Sequence, residues 1–409
     1  MEQLSDKLKA MGVRLGTAAQ PAARAPAGFP IHRVVDGADL PTHFGETYRV
    51  EKRYPPGYQH GLTPIAVTCS LERLFEWGGS RLPAGLDLRQ VVFLDTETTG
   101  LAGGTGTYAF LVGIGRFDGD AFRLEQYFMR DPSEEAALLA GLLQAMDSSQ
   151  VLVTFNGKSF DAPLLNTRYI LQGISSPLGE LIHLDLLPLA RRLWRDRLPS
   201  RALSYLEVSI LRAFRTQEEV PGWLIPQLYF DYLRSGDARP LAGVFYHNSM
   251  DILALAALFA HTARLLDDPL GDLVDEGLDR LALAKLYEEL GRVEDAIRIY
   301  RLGLEQGLPE EAFWSGIDRL SQVYRRNGDW LSAVDLWRKA AGHGRLDACV
   351  ELAKFYEHRQ RDYPEAIRWT ETALQAAGDA RNFPPYLRRQ ALAELTHRLE
   401  RLQHKMEMK

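Results

Sequence analysis

The chain has 409 residues, 46% of them hydrophobic and 25% charged, with a net charge of −6. That length and apolar content suit two or three packed domains, and the acidic balance excludes a global pull toward nucleic acid or an anionic membrane. Cys69 and Cys349 are the only cysteines, which rules out a disulfide framework or a thiolate metal site; with no signal-peptide pattern at the start, a reduced, cytoplasmic setting is expected.

Residues 1–30 close on an Ala/Pro-rich run and are expected to form a flexible segment. Residues 31–88 mix Pro, Gly and aromatics, and predict a small N-terminal extension of short strands and loops. From 89 to 266 strand-like and helix-like runs alternate. Residues 91–94, 108–114 and 122–129 read as antiparallel strands, with Gly100, Gly103, Gly104 and Gly106 marking the first turn between them. Ser133, followed by Glu134 and Glu135, is the expected N-cap of a helix running to Met146. Residues 151–155 form the next buried strand, and Pro163 suits the first turn of a helix from Phe160. The pattern predicts an α/β domain with a mixed five-stranded sheet and helices on its faces. The apolar helix expected over 252–266 carries His261, Thr262 and Arg264 and is too short to span a bilayer, so no membrane contact is expected.

An acidic stretch at 267–280 reads as a linker, and 281–409 reads as all-α. There Tyr287, Tyr324 and Tyr356 recur in step with Ala296, Ala333 and Ala366 at a period near 34. That pattern resembles tetratricopeptide repeats, which implies a helical-repeat domain with a protein partner.

The chemistry concentrates in three places. The apolar run at 91–94 ends in Asp95 and Glu97, and side chains at i and i+2 of a strand share one face. Two carboxylates that close repel unless a cation lies between them, and hard oxygen ligands suit Mg²⁺ or Mn²⁺. Asn156-Gly157-Lys158-Ser159-Phe160-Asp161 follows at a strand-to-helix junction, and Tyr246-His247-Asn248-Ser249-Met250-Asp251 enters the apolar helix. Gly157-Lys158-Ser159 is no phosphate-binding loop, since Leu152 stands where its first glycine belongs. Arg191, Arg192 and Arg195, with Arg197 and Arg201 beyond, make the densest basic patch. Asp185 reads as a helix cap rather than a fifth metal ligand.

Phe-Leu-Asp-Thr-Glu-Thr-Thr-Gly-Leu, Asn-Gly-Lys-Ser-Phe-Asp and His-Asn-x-x-Asp together resemble the DEDD (DnaQ-like) 3′–5′ exonucleases of the ribonuclease H-like superfamily. Residues 89–266 further resemble the YprB-type ribonuclease H-like proteins. The resemblance implies a nuclease acting on DNA or RNA with two ions, Mg²⁺ or Mn²⁺. Asp95, Glu97 and Asp251 would hold one ion, and Asp95 with Asp161 the other. In such sites one ion acidifies the attacking water and the other stabilises the leaving oxygen. The family places Tyr four residues, or His five residues, before its last Asp; here His247 is at four and Tyr246 at five. If the helix already runs through 247, His247 and Asp251 share a face, and His247 is the expected general base. Asn156, Lys158, Tyr246, Arg191, Arg192 and Arg195 are the expected substrate contacts. Two rival readings are a non-catalytic nucleic-acid-binding scaffold on the same fold and an endonuclease of RNA–DNA hybrids.

Overall fold

The computed structural model describes residues 28–100, 106–379 and 385–408. Most of the expected flexible segment, and Gly103 and Gly104 of the glycine turn, lie outside the described residues. The chain divides into two compact units: one runs to Leu189 and adds Ser200–Ala263, the other joins Ala190–Pro199 to the chain from Arg264 onward.

The first unit is built on one sheet. Its strands are β1 (Ala38–Thr42), β2 (Gly45–Tyr54), β5 (Val91–Thr98), β6 (Ala109–Asp118), β7 (Ala121–Phe128), β8 (Val151–Thr154) and β9 (Ile182–Asp185); a separate hairpin pairs β3 (Gln59–His60) with β4 (Thr63–Pro64). The order is β1-β2-β7-β6-β5-β8-β9. The four strands located in the sequence from 89 onward are present and β9 is the fifth, but the sheet has seven. The 31–88 extension supplies the other two, because β2 pairs antiparallel with β7 from Tyr48↔Phe128 to Tyr54↔Phe122 and so covers an otherwise open edge. β5 lies in the interior of the sheet, antiparallel to β6 and parallel to β8. Val91, Val92, Phe93 and Leu94 are buried, as an interior strand covered on both faces requires.

The helices of this unit are α1 (Glu72–Trp77), α2 (Glu135–Met146), α3 (Asp161–Leu171), α4 (Leu186–Trp194), α5 (Leu203–Ser209), α6 (Ile225–Ser235) and α7 (Leu241–Asp267), of which α4 and α7 run on into the second unit. The turn before α2 is capped by Asp131, whose carboxylate accepts from Ser133 N at 2.9 Å; Ser133 is therefore not itself the cap. α7 starts well before residue 252, so the Tyr246-to-Asp251 motif lies inside the helix rather than ahead of it. At 27 residues α7 is long and apolar enough by composition to cross a bilayer, but Ile252–Ala260 is spent on the core, where each residue is 0–1% exposed.

The second unit stacks helices in pairs: α8 (Gly277–Glu289) with α9 (Val293–Glu305), α10 (Glu310–Arg326) with α11 (Trp330–Gly342), and α12 (Leu346–Phe355) with α13 (Tyr363–Asp379), then α14 (Pro385–Glu407). Ala296, Ala333 and Ala366 are wholly buried at the same place in each pair, where a small residue lets the helices approach. The carbonyls of Tyr287, Tyr324 and Tyr356 close the three turns by accepting from Arg292, Asp329 and Asp362. From Tyr to Ala the first two units count nine residues and the third ten. The additional residue is taken up in a π-helical turn, Tyr356–Gln360, which ends on Arg361 in the left-handed region at φ 54°. In the acidic stretch, buried Arg280 donates to the carbonyls of Pro269, Gly271 and Val274, and gathers that segment around one guanidinium.

Candidate active site

Asp95 and Glu97 stand at the carboxyl end of β5 and face α7. Asp95 Oδ2 accepts from Asn248 Nδ2 at 2.9 Å. Glu97, 9% exposed, lies in the fields of His247 and Asp251. The Thr96 hydroxyl donates to Asp161 Oδ1 at 2.5 Å, tying the first residue of α3 to the same strand end, where Asp161 adds its charge to the fields on Asp95 and Glu97. The four expected carboxylates therefore converge from β5, α3 and α7.

Asn248 is held by the sheet beneath it. Asp95, Gly113 and Gln126 pair in register across β5, β6 and β7. Gln126 Nε2 donates to Asn248 Oδ1 at 2.9 Å and to Phe245 O at 2.8 Å, which leaves the Asn248 amide nitrogen facing Asp95. Gly113 makes room for this, since a Cβ there would lie 2.3 Å from Asn248 Oδ1.

Electrostatics sorts the carboxylates into two groups. Burial pushes Asp95 well above the usual carboxylate range, and Asp251, Glu97 and Asp161 add to it. Burial lifts Glu97 to about 8 despite nearby His247, with Asp251, Asp161 and Glu219 contributing. Asp161 rises to about 6, again through burial, with its Thr96 hydrogen bond resisting. Asp251 behaves oppositely: burial disfavours its charge, but the His247 hydrogen bond and the Arg215 charge hold it below its ordinary value. Arg215 donates to Asp251 Oδ1, to Glu207 Oε2 at 2.6 Å and to Glu219 Oε1 at 2.9 Å. His247 Nδ1 meets Glu219 Oε1 at 2.6 Å, and its Nε2 lies 3.4 Å from Asp251 Oδ2. Burial opposes its charge, yet Asp251, Glu97 and Glu219 hold the imidazolium up to about 9.

Among the described residues no three of these side chains already enclose a common point as a finished metal shell. Their chemistry nevertheless fits a divalent cation. Asp95, Glu97 and Asp161 are hard oxygen donors whose charged forms burial disfavours, with only His247 offsetting this at Glu97, and a buried Glu219 oxygen has no hydrogen-bond donor among the described residues. Asp251 is the exception, already neutralised by Arg215 and His247.

A model of the ribonuclease H superfamily matches residues 92–263. A tetratricopeptide-repeat model matches residues 280–311. The Bacillus subtilis (strain 168) protein YprB, which carries the description uncharacterized, is 32% identical over 335 residues, covering 80% of this chain and 80% of that protein. The chain belongs to the YprB family of ribonuclease H-like proteins.

In this YprB-family chain the other expected contacts disperse. Asn156 adopts the left-handed conformation (φ 69°), and its backbone nitrogen and that of Lys158 donate to Asp185 at 2.8 and 3.1 Å, so Asn156 shapes the turn that presents Lys158. Asp185 also accepts from Leu187 N at the start of α4, and is the cap expected. Tyr246 turns away from the carboxylates and accepts from Thr216 N at 2.9 Å. Arg191, Arg192 and Arg195 belong to the second unit, where Arg192 pairs with Glu289 and Arg195 lies 3.6 Å from Asp196. Arg215, Glu219, Gln126 and Gly113 carry no motif. Of these only Gly113, a glycine inside an apolar strand, signals a close approach in the sequence.

Gly113→Ala in the YprB-family chain is expected to destabilise by about 1–3 kcal/mol, because the row below Asn248 has no space to give. The same change displaces the amide from Asp95. Urea unfolding measures the first effect, and a weakened Mn²⁺ dissociation constant the second; a variant matching the parent in both would disconnect Gly113 from the site.

Proposed function

We propose that this chain is a metal-dependent nuclease, acting as a 3′–5′ exonuclease on DNA or RNA, with a repeat domain that binds a protein partner. The observation that carries this reading is the convergence of four carboxylates at the end of one buried strand, three of them pushed up in pKa chiefly by burial, with neighbouring carboxylates adding to it. Membership of the ribonuclease H superfamily supports it, since its nucleases generally use divalent metals. Asp95, Glu97 and Asp251 would hold one ion, and Asp95 with Asp161 the second. Bound Mg²⁺ or Mn²⁺ would supply the Lewis acidity that such hydrolysis requires. His247 then serves as the proton acceptor. In the metal-free site it is an imidazolium, and it becomes competent once the surrounding negative charge is neutralised and its proton is no longer held. Glu219, bonded to its Nδ1, fixes the ring so that Nε2 is the nitrogen facing Asp251. Arg215 holds Asp251 as a carboxylate throughout.

The decisive experiment incubates the purified protein with Mg²⁺ or Mn²⁺ and end-labelled single- and double-stranded DNA, RNA and RNA–DNA hybrids. Stepwise shortening from 3′ ends is expected, and internal cuts in hybrids would favour the endonuclease. A second reading, nucleic-acid binding without catalysis, draws on the saturation of Asp251 by Arg215 and His247. Absence of metal-dependent cleavage on every substrate would decide for it.

A pH prediction follows from the same charges. Glu97 has an ordinary value of 4.5 and a folded value of about 8, so between these limits the folded state keeps a proton that the unfolded chain releases. Its stabilising protonation is fully present below the unfolded value and is lost as pH rises through the folded one. Asp161, raised from 3.8 to about 6, and His247, raised from 6.5 to about 9, act in the same sense. Metal-free protein should therefore melt at progressively lower temperature from about pH 5 to pH 9, and millimolar Mn²⁺ should flatten the decline. Thermal scans in EDTA and in Mn²⁺ test this; a metal-free melting temperature that climbed with pH would contradict the charge assignment.

A further inference from the structure

A row of side-chain hydrogen bonds reaches the acidic site from the N-terminal extension, outside the matched residues 92–263. It starts at His60 on the β3–β4 hairpin, which is 5% exposed. His60 Nε2 donates to Glu207 Oε1 at 2.7 Å. Glu207, 1% exposed on α5, accepts with its other oxygen from Arg215 Nε at 2.6 Å. Arg215 donates in turn through Nη1 to Glu219 Oε1 at 2.9 Å and through Nη2 to Asp251 Oδ1. The row therefore runs His60, Glu207, Arg215, Asp251.

A guanidinium is planar and carries its donors in a fixed fork. All three Arg215 nitrogens go to carboxylates, so the atom that fixes Nε also fixes the plane and the reach of Nη2. Glu207 is that atom's owner, and His60 steadies its second oxygen. The backbone repeats the arrangement. Leu62 N donates to Leu211 O at 2.9 Å, and Gly61 sits beside it in the left-handed region at φ 64°. A Cβ on Gly61 would lie 2.4 Å from Leu211 O, so only glycine lets the hairpin rest on the segment leading to Arg215. Ala213 N donates to Glu207 O at 3.0 Å, and beyond Arg215 the Thr216 N donates to the Tyr246 hydroxyl at 2.9 Å. Arg215 is thus clamped on both sides in the backbone as well as through its side chain.

Taking His60, Glu207 and the Arg215 guanidinium out of water costs desolvation that apolar side chains of similar volume would avoid. Stability alone is therefore a poor reason for the row, and its end point supplies a better one. Arg215 takes Asp251 Oδ1, which leaves Oδ2, with His247 Nε2 3.4 Å away, as the oxygen turned to the other carboxylates' side of the site. Partners behind a metal ligand set its orientation and so its affinity for the ion. We propose that His60 and Glu207 are positioning residues of the acidic site, acting through Arg215 to hold the Asp251 carboxylate for a divalent cation, so that the N-terminal extension is a working part of the site. This deepens the metal-dependent nuclease reading and rests on it, although ion affinity is measurable without cleavage.

The test uses the full chain with Mn²⁺ as the probe. The electron paramagnetic resonance signal of free Mn²⁺ gives the dissociation constant, and cleavage of end-labelled DNA and RNA is followed against ion concentration. His60→Ala should raise both the dissociation constant and the Mn²⁺ needed for half-maximal cleavage roughly 10- to 100-fold, the usual cost of a lost partner behind a metal ligand. At saturating Mn²⁺ it should recover most of the parent's rate, because the carboxylates and His247 are untouched. His60→Gln, whose amide nitrogen can donate in place of Nε2, should restore the parent's affinity. Glu207→Gln keeps the volume but cannot accept from both His60 and Arg215, and should bind as weakly as His60→Ala. A merely structural hairpin would lower the melting temperature and leave the dissociation constant of the folded protein unmoved. Parental Mn²⁺ affinity in folded His60→Ala or Glu207→Gln, or His60→Gln as weak as His60→Ala, would overturn the proposal. If His60→Ala does not fold, Glu207→Gln decides; if neither folds, the row is structural and the proposal falls. Variants that cleave like a cleaving parent across the Mn²⁺ range would remove the positioning role and leave the nuclease reading intact. Mn²⁺ binding that the variants weaken, in a parent that cleaves nothing, would uphold the positioning role and remove the nuclease. A parent that binds no Mn²⁺ would overturn both.

Discussion

Asp95→Ala is expected to reduce metal-dependent phosphodiester cleavage to background, a loss of at least roughly a hundredfold. Asp95 carries the heaviest burden of repulsion, facing Asp251, Glu97 and Asp161 while buried. It is also the one carboxylate that both proposed metal positions share. The substitution leaves the Asn248 amide nitrogen only the Asp95 backbone carbonyl at 3.4 Å on this strand, a cost of about 1–3 kcal/mol for a poorly satisfied buried donor. Against that stands relief of a buried carboxylate whose charge Asp251, Glu97 and Asp161 all oppose. Metal-free Asp95→Ala should therefore melt no lower than the parent at pH 8, and should lose the parent's stabilisation by Mn²⁺. Full cleavage by folded Asp95→Ala protein would remove the carboxylates from the mechanism.

His247→Ala is expected to slow the chemical step by roughly 10²- to 10⁴-fold at saturating metal, the usual cost of a missing general base. Tyr246→Phe should be mild, since among the described residues its hydroxyl accepts only from Thr216 N, a single neutral hydrogen bond of about 1 kcal/mol. Glu219→Gln separates proton transfer from mere positioning. Glu219 helps to raise His247, so its neutralisation should move the rising limb of the pH–rate profile to lower pH. A crippled Tyr246→Phe beside a near-normal His247→Ala would transfer the role to the tyrosine. An unchanged profile in active Glu219→Gln would leave His247 a structural part.

The sequence made the carboxylates legible because strand periodicity is local. Asp95 and Glu97 share a face as a consequence of the two-residue repeat, and the apolar run before them marks a buried strand. The relation of His247 to Asp251 was equally local once the helix ran through both. The start of α7 was harder to read, since Leu241–Met250 mixes polar and apolar residues and its burial is decided by the sheet it lies on. The two-strand sheet edge of β1 and β2, Arg215 and the Gln126–Asn248 relay were not legible, for a common reason. Each depends on a partner far away in the chain: Tyr48 with Phe128, Arg215 with Asp251, Gln126 with Asn248. Non-local pairs leave no spacing to count. The raised pKa of His247 is not legible in the sequence either, because Asp251, Glu97 and Glu219 are gathered around it only in three dimensions.

The π-helical turn at Tyr356–Gln360 has a consequence for how such an array tolerates length change in evolution. One residue inserted into an α-helix would rotate every later side chain by about 100° and turn Ala366 out of its packing site. Here the insertion is absorbed in the turn between helices, and Ala366 remains wholly buried in the place that Ala296 and Ala333 occupy in their own pairs. The array is thus phased by where its small residues pack and not by a fixed residue count. Single-residue insertions and deletions in related chains should accordingly collect at the inter-helix turns. A search that demands constant spacing will overlook units that are structurally intact.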